Sequence, residues 1–232
     1  MDVKYKHLFF DLDLTLWDFD KNSNEVLVEL FSEFNLEDAG ITDSEKFIAV
    51  YKIHNEQLWD SYRKGIVSKE ELRTVRFYKV LQDFGIDNKK LANDISEGYL
   101  KKGPYKTHLM PYTIDTLEYL SIKYKLHIIT NGFDEIQSIK LNNCGIRKYF
   151  EQIITSDSTG FKKPDKRIFH HSLYRAKAKT KQSIMIGDHL EIDIIGARNA
   201  GLDQIYFNPQ GKKHNESITY EINCLKKLMS IF

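Results

Sequence analysis

The sequence predicts an α/β fold, a doubly wound parallel sheet interrupted by an inserted all-helical domain. Three observations carry this. Short apolar runs recur along the chain, and each ends in a polar side chain. Helical patterns alternate with these runs through the C-terminal half. A long stretch between the first and second runs has helical periodicity and no convincing strand. The chain has 232 residues, 41% hydrophobic and 29% charged, with 12 Gly and 4 Pro. That is globular composition at a length that carries one domain with a large insertion, or two domains, at about 150 residues each.

The first run, Lys6 to Phe10, ends at Asp11. Without polar alternation it suits a strand buried on both faces, as in a parallel sheet covered by helices. Amphipathic helical patterns follow over Asn22 to Phe34, Ser44 to Tyr62, Ser68 to Phe84 and Lys89 to Lys101. Ser68 with Glu71 resembles a capping box, and Phe47, Val50, Tyr51 and His54 form a helical stripe. Arg73 and Arg76 stand at helical spacing and are read as a solvated face. Gly103-Pro104 is a hinge signal where the chain leaves this stretch. The boundaries are therefore placed at residues 1–17 and 104–232 for the α/β domain and 18–103 for the helical one.

From there strand and helix alternate. A helix over Thr113 to Tyr124 leads to the run Leu126 to Ile129, which ends at Thr130. A helix over Asp134 to Cys144, closed by Gly145, leads to Gln152 to Thr155, ending at Ser156 and Asp157. A helix over Lys166 to Lys177 leads to Ser183 to Ile186, ending at Gly187 and Asp188. A helix over Glu191 to Ala200, closed by Gly201, leads to Gln204 to Phe207, ending at Asn208. Glycine just past a helix end is the usual left-handed cap. The tail, Ile218 to Phe232, reads as a last packing helix. Such alternation calls for right-handed crossovers, and ligands of these sheets bind at the carboxyl ends of the strands.

Thirty-four Lys and Arg against 33 Asp and Glu leave a formal charge of +1. That balance excludes a protein whose affinity comes from neutralising a phosphate polymer, so nucleic acid is not an expected partner. Only Cys144 and Cys224 occur, with no disulfide framework. Met1 to Phe10 has no secretion signal, and no apolar run approaches the ~18 residues of a membrane span. The expectation is a soluble, cytoplasmic protein without a membrane partner, its oligomeric state not encoded. The eight His form no HExxH or zinc spacing, though His189, next to Asp188, is a candidate for the mouth of the site.

Asp11 and Asp13 are two apart at the end of an extended run, so both carboxylates point to one side if the strand continues. Two such acids repel unless a cation holds them. A hard divalent ion such as Mg2+ meets that need, since it favours oxygen ligands and works beside substrate phosphates. Asp188 and Asp193 complete an acidic ring, Thr130 adds a hydroxyl and Lys163 a cation. Singly each is a common dipeptide or turn; together they fall at strand ends in the order acid pair, Thr, Lys, acid pair.

These residues resemble the motifs of the haloacid dehalogenase superfamily, with its Rossmann-like core. Asp11-Leu12-Asp13-Leu14-Thr15 is similar to the first motif, Thr130-Asn131-Gly132 to the second, Lys163-Pro164-Asp165 to the third, and Gly187-Asp188 through Asp193 to the fourth. Gln137, Lys140, Leu141, Gly145 and Gly160 resemble the superfamily's phosphatase branch. The resemblance implies that the helical insertion is a cap. It implies that Asp11 is a nucleophile forming an aspartyl-phosphate and Asp13 the general acid and base, also binding Mg2+ through its backbone carbonyl. Asp188 would ligate Mg2+ with Asp11, Asp193 would act through water or by orienting neighbours, and Thr130, the Asn131 amide and Lys163 would hold phosphate oxygens.

Dehalogenases of this superfamily do not need the second Asp, because a halide leaves without a proton. Asp13 therefore argues for phosphate chemistry. Thr15-Leu16-Trp17-Asp18-Phe19, Asn208-Pro209 and Tyr220-Glu221-Ile222 with Leu225 resemble noncanonical pyrimidine 5'-nucleotidases. The implied substrate is a small phosphate ester, a nucleoside 5'-monophosphate. Trp17 and Phe19 are read as a packed hinge pair, with a place near the nucleobase as the competing assignment. Other readings are a phosphatase of phosphoglycolate or a sugar phosphate, a phosphosugar mutase of the same superfamily, and a non-catalytic signalling receiver.

Overall fold

The computed structural model describes residues 4–232, so the first three positions of the N-terminal segment read above lie outside the described residues. The chain divides into two compact units. One comprises the described residues as far as Phe19 together with Thr107–Phe232, and the other is Asp20–Lys106.

In the first unit six strands form one parallel sheet: β1 (His7–Phe10), β2 (Lys125–Thr130), β3 (Phe150–Thr155), β4 (Ser183–Gly187), β5 (Asp203–Phe207) and β6 (Tyr220–Ile222). Their order is β3-β2-β1-β4-β5-β6, so β1 lies between β2 and β4. Phe10 stands opposite Ile128 on one side and Ile186 on the other. Asp11, Thr130 and Asp188, each just past or at the end of its strand, are thereby brought to one edge of the sheet.

The strands are apolar throughout because both faces are covered. Leu8 and Phe10 of β1 join Ile128, Ile186 and Ile205 in one core cluster. Phe9, with Ile129 and Met185, joins the other, packed against Ile168, Phe169 and Leu173. Phe9 and Phe10 are fully buried, and each such ring contributes roughly 1.5–3 kcal/mol through the area removed from water. At the end of the sheet opposite Asp11, His7 and His127 approach each other, His7 Nδ1 to His127 Nε2 at 3.0 Å.

The helical unit follows β1. Its helices are α1 (Phe19–Glu33, which begins at the end of the first unit), α2 (Ser44–Arg63), α3 (Lys69–Asp83) and α4 (Lys89–Lys102). Asp43 and Asn88 accept from Lys46 N and Leu91 N to cap α2 and α4, and Ser68 and Glu71 form a reciprocal capping box on α3. The core is a stripe of Val26, Leu27, Leu30, Phe47, Phe77, Val80 and Ile95.

Arg76 corrects the reading of a solvated face. It is 4% exposed, its guanidinium lying 4.8 Å over Tyr99, 5.3 Å over Tyr51 and 5.4 Å over Phe77, and its Nη1 donates to Asn55 Oδ1 at 2.8 Å. A guanidinium tolerates such burial because ring faces attract the cation and the amide oxygen accepts its proton. Polar residue type alone does not reveal a slot walled by three rings.

The remaining helices return to the sheet: α5 (Thr113–Ser121), α6 (Asp134–Asn143), α7 (Ser156–Thr159), α8 (Lys166–Arg175), α9 (Gly196–Asn199) and α10 (Leu228–Ile231). Two expectations need correction. The helix read over Glu191 to Ala200 starts as a π-helical turn, Leu190–Ile195, before α9. The tail is not one helix. Tyr220–Ile222 adds the parallel strand β6 to β5, and only Leu228–Ile231 is α-helical. Three strand residues are too few to show a period-2 pattern beside the helix-like spacing of Ile222, Leu225 and Leu228. None of the described helices is long and apolar enough to cross a membrane.

Candidate active site

Beyond β1 the chain runs on through Asp11 and Asp13 and then turns sharply. Leu14 takes a left-handed conformation (φ 64°), and Leu16 N and Trp17 N both donate to Leu12 O, at 2.9 and 2.8 Å. A branched residue in that region costs on the order of 1 kcal/mol or more. The turn buries Leu12, Leu16 and Trp17 in the core and leaves the carboxylates of Asp11 and Asp13 at the sheet edge.

Asp11 lies against Lys163, whose Nζ donates to Asp11 Oδ1 at 2.7 Å and to Asp193 Oδ1 at 2.6 Å. Asp193 Oδ2 also accepts from His189 N at 3.1 Å, so both its oxygens are engaged. The π-helical turn aims Asp193 back at the sheet. Gly187 leaves the space for it: a Cβ there would meet Asp193 Cβ at 2.5 Å. Thr15 Oγ1 donates to Asp188 Oδ1 at 2.8 Å.

The carboxylates of Asp11, Asp188 and Asp193 offer oxygens all within 4.8 Å of one another. When all three are ionised, they carry two negative charges beyond the one the Lys163 ammonium balances, in a buried space. Burial pushes the Asp11 carboxyl up to about 7, with Lys163 opposing and Asp193 adding to the rise. Burial, then Asp193 and Asp11, raise Asp188 well above the usual carboxylate range. Burial would push the Lys163 ammonium down, but Asp11 and Asp193 outweigh it and hold its pKa above the ordinary value. Hard oxygen donors carrying an uncompensated charge of two suit a divalent cation such as Mg2+.

Thr130, at the end of β2, accepts from Gly132 N at 3.0 Å and from Gln137 Nε2 at 2.8 Å. With two donors directed at its oxygen, its own proton remains to be donated. Asn131 does something its sequence position does not announce. Its side chain clamps the backbone of Lys163, Nδ2 donating to Lys163 O at 2.9 Å and Oδ1 accepting from Lys163 N at 2.7 Å. The side-chain amide is thus committed to placing Lys163, and a phosphate oxygen would have to use the backbone N–H. The Lys163-Pro164 peptide bond is cis.

Asp13 is held by two residues that the motif reading gave no role. Lys140 Nζ donates to Oδ1 at 2.5 Å and Gln137 Nε2 to Oδ2 at 2.8 Å. Both come from one face of α6, at i and i+3. Thr15, which donates to Asp188, also has a role that its place in the first motif does not announce. The usable signal was the α6 spacing directly after Thr130. It places Gln137 and Lys140 over the strand end, although polar residues at that spacing ordinarily face water.

The other candidates are placed plainly. His189 is exposed and accepts from Ile192 N at 3.4 Å, at the start of the π-helical turn. Trp17 is 2% exposed, edge-to-face with Phe19 at 6.1 Å, and its ring carries the Lys140 ammonium at 4.0 Å. So buried a ring has no free face for a nucleobase, which favours the packed-pair reading.

Comparison with known proteins matches residues 8–207 to the haloacid dehalogenase-like hydrolases. The crystal structure of the HAD-hydrolase YfnB from Bacillus subtilis, bound to magnesium and revealing interdomain movement, superposes with a TM-score of 0.88 at 30% identity, covering 99% of both chains. The pyrimidine 5'-nucleotidase PynA of Streptococcus pneumoniae is 31% identical over 97% of this chain and 94% of its own. The pyrimidine 5'-nucleotidase YjjG of Escherichia coli is 28% identical over 97% of each.

Proposed function

The chain belongs to the haloacid dehalogenase-like hydrolases, and from that premise we propose that it is a Mg2+-dependent phosphomonoesterase acting on pyrimidine nucleoside 5'-monophosphates. The observation that carries the phosphatase reading is Asp13. Its side chain is 28% exposed, and it stands two residues beyond Asp11 at the same sheet edge. A halide leaves without a proton, whereas an alkoxide leaving from phosphorus needs one.

In this reading Asp11 attacks phosphorus and the P–O bond to the nucleoside breaks. Asp13 gives its proton to the leaving 5'-oxygen, then takes one from the water that cleaves the aspartyl-phosphate. Lys163 keeps one N–H beyond those given to Asp11 and Asp193, and it, the Thr130 hydroxyl and the Asn131 backbone N–H hold phosphoryl oxygens as charge builds. Asp11 and Asp188, with the Asp13 backbone carbonyl, would hold the cation, and Asp193, with both oxygens engaged, acts by placing Lys163. Mg2+ would supply charge neutralisation for the phosphoryl group and the nucleophile.

The nucleotide reading rests on PynA and YjjG, matched along nearly their whole lengths. The choice of leaving group is assigned to the helical insertion, in the role of a cap. The test is phosphate release with Mg2+ from UMP, dUMP, dTMP, purine nucleotides, phosphoglycolate and sugar phosphates, beside Asp11→Asn. Preference for the pyrimidine monophosphates, lost in the variant and on adding EDTA, is the expected result. Preference for phosphoglycolate or a sugar phosphate would reassign the substrate, and a folded Asp11→Asn protein with normal rates would remove the nucleophile.

A further inference from the structure

We propose that Lys140 and Gln137 are the positioning residues of Asp13, and that their grip governs its proton transfers and above all the hydrolysis of the phosphoenzyme. The proposal rests on the phosphatase reading above. Asp13 lies past the last regular pairing of β1 and just before the left-handed Leu14, in a segment with only an isolated bridge to Trp17. An Asp carboxylate turns easily about its last torsion unless donors hold it. Two donors from the rigid helix α6 remove that freedom by taking one oxygen each, Lys140 on Oδ1 and Gln137 on Oδ2.

The supporting shell is itself fixed. Lys140 is buried, and besides Asp13 its ammonium rests on the Trp17 ring at 4.0 Å, so its long side chain is held along its length. Gln137 is fully buried and also donates to Thr130 Oγ1 at 2.8 Å, which ties the acid to a phosphate-holding hydroxyl. A buried cation spent on a catalytic carboxylate, away from the acidic cluster around Lys163, has a cost in desolvation that a surface ion pair would avoid. Placement of a proton-transfer group is worth that cost, because misplacement by about 1 Å can lower a rate on the order of 100-fold.

Both bonds fix where the two Asp13 oxygens stand relative to the water and the leaving group. Loss of the grip should therefore slow the second step for every substrate. The first step should slow only for esters whose leaving group needs a proton. p-Nitrophenolate leaves without one, so Lys140→Met and Gln137→Leu should show a burst of p-nitrophenolate near one equivalent, with phosphoenzyme accumulating. On an alkyl phosphate such as UMP, kcat should fall on the order of 10–100-fold with KM little changed and no burst. Lys140→Arg, which keeps a donor cation, should recover part of the loss.

Asp13→Asn is the control that separates the two ideas. If it shows the leaving-group selectivity and Lys140→Met does not, the positioning role is wrong and the phosphatase reading stands. If Asp13→Asn gives no burst of p-nitrophenolate, so that the first step slows even for a leaving group that needs no proton, the reading of Asp13 as acid and base fails. Equal losses on both substrates without a burst in Lys140→Met, beside a selective Asp13→Asn, would mark Lys140 as a structural strut only.

Discussion

The two ends of β1 and its neighbours hold buried ionisable groups in opposite ways. At the carboxyl end, Asp11, Asp188 and Asp193 crowd round one ammonium, three acids to a single cation. At the amino end, His7 and His127 pack between strands, and burial, aided by the charge of His7, lowers the His127 pKa to about 3. Burial raises Asp11 to about 7 at the other end. The same desolvation therefore acts on both, but one end is eased by protons and the other by their absence. A buried cluster of carboxylates is eased by a proton or a cation, whereas a buried imidazole pair is eased by shedding its charge.

The largest break in this comparison comes from Asp11→Asn. Turnover should fall by on the order of 1000-fold or more, as the proposed nucleophile is lost. Stability of the metal-free protein should rise at the same time. The sign follows from linkage: a carboxyl with a raised folded pKa binds a proton between pH ~4 and ~7 that the unfolded chain does not. Its stability is lost as pH climbs through that window and stays lost above it. The variant lacks this penalty, so urea unfolding at pH 8 should show a gain on the order of 1–3 kcal/mol that narrows towards pH 4. Mg2+ should reduce the difference by stabilising the wild type.

A smaller effect is expected from Gly187→Ala. The added carbon must displace Asp193, which loosens Lys163 without removing any charge. Activity should fall about 100-fold, with far-UV circular dichroism retained, if placement of Lys163 is what the acid cluster provides.

The smallest effect belongs to the other end. His127 has a lowered folded pKa, so its contribution is fully present above pH ~6.5 and is lost as pH falls towards ~3. Between pH 6.5 and 5 this costs up to about 1.4 kcal/mol per pH unit, opposing the gain at Asp11. His127→Phe should remove that slope and leave turnover unaltered. An unchanged slope would mean that the histidine pair does not titrate on unfolding as its burial demands.

These two ends were unequally legible in the sequence. The acid pair, Thr130, Lys163 and Asp188 could be placed because polar residues ending apolar runs contrast sharply with what precedes them. The strands and the alternation with helices were legible for the same reason, since a sheet covered on both faces writes uninterrupted apolar runs. His7 and His127 sit inside such runs, where one polar letter carries no information about its neighbour in the next strand. Gln137, Lys140 and Arg76 were illegible as contacts because their polar types on helices ordinarily mean solvent. Only three dimensions show that Asp13 or a set of rings stands there instead. The helical tail failed through shortness: β6 exists because β5 offers it an edge, and its own three residues do not specify it.

The contact between Gly132 and Gln137 bears on how such a site can change over time. A side chain at 132 would have to occupy the space already filled by the Gln137 amide, 2.1 Å from its nitrogen. Position 132 therefore depends on what stands at 137. A library that varies 132 alone should return glycine, while one that shortens 137 first opens 132 to alanine and releases Thr130 and Asp13 together. Drift at 132 waits until 137 has shortened, and that change gives up the bonds to Thr130 and Asp13.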